Sequence, residues 1–157
     1  MINETAEQRD LTARVLVITA DADVKSFINS LMVLRHIRAG VTESPENASQ
    51  FLSTNAAPDV VILDLDVSET RALEFLRQLR RHNTLVRLPV LALTSFPDPT
   101  LVRKAIDAGA NRYLTKIFMV KNMLSTLREI MDQASMERTQ QTAPLRSSAA
   151  ISTNSGG

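Results

Sequence analysis

The sequence has no cysteine and no tryptophan, and only one tyrosine, four glycines and six prolines in 157 residues. Without cysteine there is no disulfide framework, no thiolate metal site and no cysteine nucleophile. The two histidines, His36 and His82, stand too far apart for a closely spaced zinc-binding pair and read as ordinary surface residues. No apolar run approaches the ~18 residues that a membrane span needs. The opening MINETAEQRD also lacks the apolar stretch of a signal peptide. Nor does one sign of charge prevail: 18 Lys and Arg against 17 Asp and Glu leave +1, no electrostatic case for a nucleic-acid partner. A cytoplasmic chain with no membrane span and no nucleic-acid partner is the expectation.

What is present is enough apolar material for one core, 44% of residues being hydrophobic and 22% charged. The first stretch, 1–13, is a polar arm. Residues 133–157 are rich in Ser, Thr, Ala and Gln, with Met136, Leu145 and Ile151 far apart, the composition of a flexible or disordered tail. The remaining span, 14–132, fits a single domain of roughly 100–150 residues. No second catalytic or output domain is expected.

Three short runs are apolar on consecutive residues: Val15–Ile18, Val60–Leu63 and Pro89–Leu93. Strands buried on both faces read this way, because helices cover both sides of a parallel sheet. Weaker candidates are Gly40–Glu43 and Arg112–Thr115. The segments between carry helical period and end signals. Ser44-Pro45 and Asp98-Pro99 pair an N-cap with proline at the first helical position, and Gly109 stands where a helix ends. Ala72, Leu73, Phe75, Leu76 and Leu79 form one apolar stripe in Arg71–His82. Val24–Leu34 and Val120–Met131 complete the set. The alternation predicts an α/β fold, a doubly wound five-stranded parallel sheet with five helices.

Ligands of such sheets bind beyond the carboxyl ends of the strands. Asp64, with Asp66 two residues on, follows one strand; Thr94 and Ser95 follow another; Lys116 follows a third; and Thr19, Ala20 and Asp21 follow the first. A carboxylate beside a hydroxyl and an ammonium suits phosphoryl transfer. The carboxylate is the nucleophile, and the other two groups bind the phosphoryl oxygens as charge gathers there.

The runs Asp59–Asp64, Ala72–Leu76, Leu88–Thr94 and Ala108–Lys116, in that order and spacing, resemble the receiver domain of two-component response regulators. The likeness spans about Arg14 to Met131. It implies flavodoxin-like topology with strand order 2-1-3-4-5. It also implies Asp64 as phosphoacceptor, Thr94 as switch hydroxyl, Lys116 as phosphate-binding lysine and Tyr113 as the aromatic that turns on activation. The implied donor is a histidine kinase or phosphotransfer protein, with Mg2+ as cofactor. Output would pass through a downstream protein partner or a homodimer, by the face of the fourth helix, fifth strand and fifth helix.

The sequence departs from the family pattern at three places. Thr19 and Ala20 replace the acidic pair that holds the metal, so Asp21, Asp64 and Asp66 are left as a weak ligand set for Mg2+. Ile117 replaces the proline after the lysine, which implies a trans peptide and a displaced Lys116. Val67-Ser68-Glu69-Thr70 lacks the usual Pro-Gly. These departures keep a second reading open, a phosphorylation-independent receiver acting as a binding or dimerisation adaptor. A third is a haloacid-dehalogenase-like phosphatase, for which Asp64, Asp66, Thr94 and Lys116 stand in the right order. The glycine and threonine expected after its second Asp are missing. Otherwise the chain is expected not to be an enzyme.

Overall fold

The computed structural model describes residues 13–142. Its elements alternate as β1 (Arg14–Ile18), α1 (Ala22–Arg35), β2 (Arg38–Thr42), α2 (Pro45–Thr54), β3 (Val60–Asp64), α3 (Glu69–Arg81), β4 (Val90–Thr94), α4 (Pro99–Ala108), β5 (Arg112–Thr115) and α5 (Met119–Thr142). A single 3-10 turn, Lys116–Phe118, joins β5 to α5. All strand pairs are parallel, in the order β2-β1-β3-β4-β5. The fold is the doubly wound one that the alternation predicts.

The two-residue period of the strands divides the core. Leu16, Ile18, Val61, Leu63, Val90 and Ala92 face α2, α3 and α4, with Leu73, Phe75, Leu76 and Ala105. Val15, Val17, Val60, Ile62, Leu91 and Leu93 face α1 and α5, with Val24, Ile28, Met123 and Leu127. Each buried Leu, Ile or Phe contributes ~1.5–3 kcal/mol. Burial on both faces therefore fixes register, since a one-residue slip would exchange the two faces of a strand.

Every helix start that the sequence marks is capped. Ser44 accepts from Asn47 N–H at 3.1 Å with Pro45 next, and Asp98 accepts from Thr100 N–H at 3.1 Å with Pro99 next. Ser68 begins α3 and Asp21 begins α1 in the same manner. One boundary differs from the compositional reading. Helix α5 continues past residue 132 to Thr142, so residues 133–142 are helical rather than tail. Helix formers Gln133, Glu137 and Arg138 sustain it, and Gln133 Nε2 donates to Glu137 Oε1 one turn on. Residues 1–12 and 143–157, with Leu145 and Ile151, lie outside the described residues.

Gly109 closes α4 at φ 120°, a region that L side chains rarely adopt. It also lies against Arg80: a Cβ there would stand 2.5 Å from Arg80 Cγ. Half-buried Arg80 donates to the carbonyls of Gly109 at 2.7 and 3.0 Å, Val86 at 2.9 Å and Leu88 at 2.8 Å, and to Asn111 Oδ1 at 3.1 Å. Burial holds its guanidinium below the usual arginine range. One side chain from α3 thus ties together the approaches to β4 and β5. We expect Gly109→Ala to cost about 1–3 kcal/mol through backbone strain and displacement of Arg80. A lowered urea midpoint with unchanged denaturant slope would register that loss.

Candidate functional site

Parallel strands end together, so the residues following β1, β3, β4 and β5 meet at one edge. Asp64 is the last residue of β3 and only 1% exposed. Thr94 ends β4 and is fully buried. Thr19 follows β1 and is fully buried as well, and Asp21 caps α1. Lys116 opens the turn after β5.

The Lys116 ammonium binds three carboxylates at once: Asp64 Oδ2 at 2.9 Å, Asp66 Oδ2 at 2.9 Å and Asp21 Oδ2 at 3.0 Å. Its side chain keeps only 12% of its exposure. Burial by itself would lower the lysine pKa, but bonds to Asp64, Asp66 and Asp21 outweigh it and hold the ammonium above the usual lysine range. One positive charge against three negative ones leaves the cluster formally at −2.

The remaining oxygens are also engaged. Thr19 Oγ1 donates to Asp64 Oδ2 at 2.7 Å and accepts from the Asp21 N–H at 3.0 Å, so its single proton faces Asp64. Asp64 Oδ1 accepts from the Asp66 N–H at 2.9 Å. Asp66 Oδ2 accepts from the Ser95 N–H at 2.9 Å, and Thr94 Oγ1 donates to Asp66 Oδ1 at 3.3 Å or to the Phe96 carbonyl at 3.1 Å. Asp21 Oδ1 accepts from the N–H groups of Asp23 at 2.9 Å and Val24 at 3.4 Å. The bond to Lys116 holds the Asp21 carboxyl below its usual range. Burial would raise Asp66, yet bonds from Ser95 and Lys116 bring it below its usual range too.

Of the residues singled out in the sequence, Asp21, Asp64, Asp66, Thr94 and Lys116 come together. Tyr113 is 46% exposed on β5 and shares none of these bonds. The expected displacement of Lys116 is not observed. No peptide bond among the described residues is cis, yet three carboxylates hold the ammonium at the centre. Two contributors were not foreseen. Thr19, placed at a strand end but given no role beyond replacing an acid, is the hydroxyl donor to Asp64, and the Ser95 backbone fixes Asp66. The position of Thr19 at a strand end was the available signal.

Mg2+ asks for near-octahedral oxygen ligation at about 2.0–2.1 Å. Asp21, Asp64 and Asp66 do converge, but on an ammonium, and Thr19 turns a proton rather than a lone pair toward Asp64. Among the described residues no group of three His, Cys, Asp or Glu side chains is arranged to hold a metal ion. The residues as placed suit a tethered ammonium and do not fit the dication.

The family profile described as the response regulator receiver domain matches residues 15–128. Response regulator MprA of Mycobacterium sp. (strain KMS) is 28% identical over 125 residues, covering 80% of this chain and 53% of the relative. The chain thus spans about half the length of the curated relatives it first matches. A putative response regulator from Chloroflexus aurantiacus J-10-fl has a similar fold, with TM-score 0.71 and 24% identity over 78% of this chain and 99% of that one. So does the receiver domain of sensor histidine kinase PA1611 from Pseudomonas aeruginosa PAO1, with TM-score 0.68 and 17% identity over 78% and 99% of the two chains. That structure is described with magnesium in its active site cleft.

Two measurements test the cluster. The unfolded chain, with ordinary carboxyls near 3.9, takes up protons before folded Asp21 and Asp66 do. Their stabilisation is complete above the ordinary carboxylate range and lost as pH falls through the depressed folded values. Thermal midpoints should drop steeply below about pH 4, and less steeply in Asp66→Asn. Lys116→Met leaves the carboxylates without their cation and is expected to cost about 3 kcal/mol or more in urea unfolding. Combined with Asp66→Asn, it should cost less than the two single losses together.

Proposed function

The chain belongs to the receiver domains of response regulators, and on that premise we propose that Asp64 accepts a phosphoryl group in a two-component relay. The supporting observation is the juxtaposition of a buried strand-end carboxylate with Lys116 Nζ at 2.9 Å and the Thr94 hydroxyl on the next strand. An Asp64 oxygen attacks phosphorus, and the bond from phosphorus to the donor nitrogen or oxygen breaks as the leaving group departs with that electron pair. Lys116 offsets charge on the phosphoryl oxygens. Thr94, whose hydroxyl is held by Asp66 and the Phe96 carbonyl, has to rotate to reach them.

A histidine kinase or phosphotransfer protein is the proposed donor. A protein partner, or a second copy of this chain, is the proposed reader, at the face of α4, β5 and α5. Ile106, Tyr113 and Val120 supply apolar surface there, exposed 42%, 46% and 76%. Removal of the Thr94 bonds and entry of Tyr113 would redistribute the two states that such a partner distinguishes. Among the described residues, no helix is long and apolar enough to cross a membrane.

Incubation with phosphoramidate or acetyl phosphate followed by intact-mass measurement tests the acceptor. The expected outcome is the mass of one phosphoryl group gained by the wild type and by none of the Asp64→Asn protein. Absence of any gain, under conditions that label a control receiver, would overturn the reading and favour the adaptor.

A further inference from the structure

We propose that Lys116 is the resident cation of this pocket, holding the point between Asp21, Asp64 and Asp66 that a divalent ion would need, so that the site works without bound metal. The inference concerns the same site as the phosphoacceptor reading, and metal binding to the unphosphorylated protein tests it separately.

Three observations converge on it. The ammonium is the shared partner of all three carboxylates, at 2.9, 2.9 and 3.0 Å, so ion and lysine compete for the same oxygens. Those oxygens have other donors besides: Thr19 on Asp64, Ser95 N–H on Asp66 and, on the second oxygen of Asp21, the first turn of α1. Thr19, finally, replaces an oxygen anion by a hydroxyl whose proton already faces Asp64 and whose lone pair receives the Asp21 N–H. An incoming dication would lose the ligands that Thr19 and Ala20 do not provide, and it would have to expel an ammonium tied by three ion pairs. A lysine tethered to β5 requires no exchange with solvent and links charge compensation at Asp64 directly to the β5–α5 turn.

Paramagnetic broadening by Mn2+ of the amide signals of Asp64, Asp66 and Lys116 provides the test. In the wild type, these signals should broaden no more than surface carboxylates do. Both Thr19→Asp, which restores an anionic ligand, and Lys116→Met, which vacates the point, should strengthen site-specific Mn2+ binding by on the order of tenfold or more. Thr19→Asp leaves the lysine ion pairs in place and so keeps the test valid should Lys116→Met not fold. Saturable broadening centred on Asp64 in the wild type, at concentrations that leave surface carboxylates unaffected, would overturn the proposal, as would no gain in either folded variant. Labelling by phosphoramidate should also proceed within about twofold of the same rate in EDTA and in Mg2+; labelling only with Mg2+ overturns the tethered-cation inference while leaving Asp64 as acceptor. If no labelling occurs at all, the acceptor reading fails and the Mn2+ result still decides this one.

Discussion

The three-way ion pair of Lys116 is the interaction on which the functional edge of the molecule depends. Asp21, Asp64 and Asp66 come from the approach to α1, the end of β3 and the loop beyond it, and the lysine from the turn after β5. Three buried or half-buried carboxylates at one point would repel each other, and a lone ammonium at 12% exposure would be poorly solvated. Each side makes the other tolerable. The same contact joins opposite parts of the sheet edge, since β1 and β5 are separated by β3 and β4 in the strand order.

Holding the lysine in place is the work of the rest of the fold. Apolar residues on both faces of β3 and β4 fix the register that delivers Asp64 and Thr94 to the same edge. At the opposite end, Arg80 and Gly109 set the entry into β5, the strand that carries Lys116 at its far end. Charge is treated differently at the two ends: among the described residues, the Arg80 guanidinium meets neutral carbonyl and amide oxygens, whereas the Lys116 ammonium meets carboxylates.

Much of the fold was legible in the chain because its signals are local. Consecutive apolar residues at Val15–Ile18, Val60–Leu63 and Pro89–Leu93 announce strands covered on both sides, and Ser44-Pro45 and Asp98-Pro99 announce helix starts. Strand order came from family resemblance, because periodicity cannot say which strands are neighbours. The run of α5 to Thr142 escaped compositional reading, since the same polar residues serve a solvated helix and a tail. At the site, Asp64, Thr94 and Lys116 could be gathered from strand-end positions alone. The hydroxyl of Thr19 and the backbone of Ser95 could not, because hydrogen-bond direction depends on where neighbouring strands place donors.

The sequence by itself determined which residue types reach the carboxyl edge: one strand-end Asp with a second beside it, a Thr, a Lys, and Thr19-Ala20 in place of an acidic pair. Only the tertiary structure decided what those residues do to one another. Three carboxylates from distant positions could have surrounded a metal ion or the lysine, and their spacing along the chain is the same in either case. Parallel register brings Asp64 Oδ2, Asp66 Oδ2 and Asp21 Oδ2 within 3.0 Å of a single nitrogen. The short-range attraction between opposite charges in a partly buried pocket then closes the cluster around Lys116.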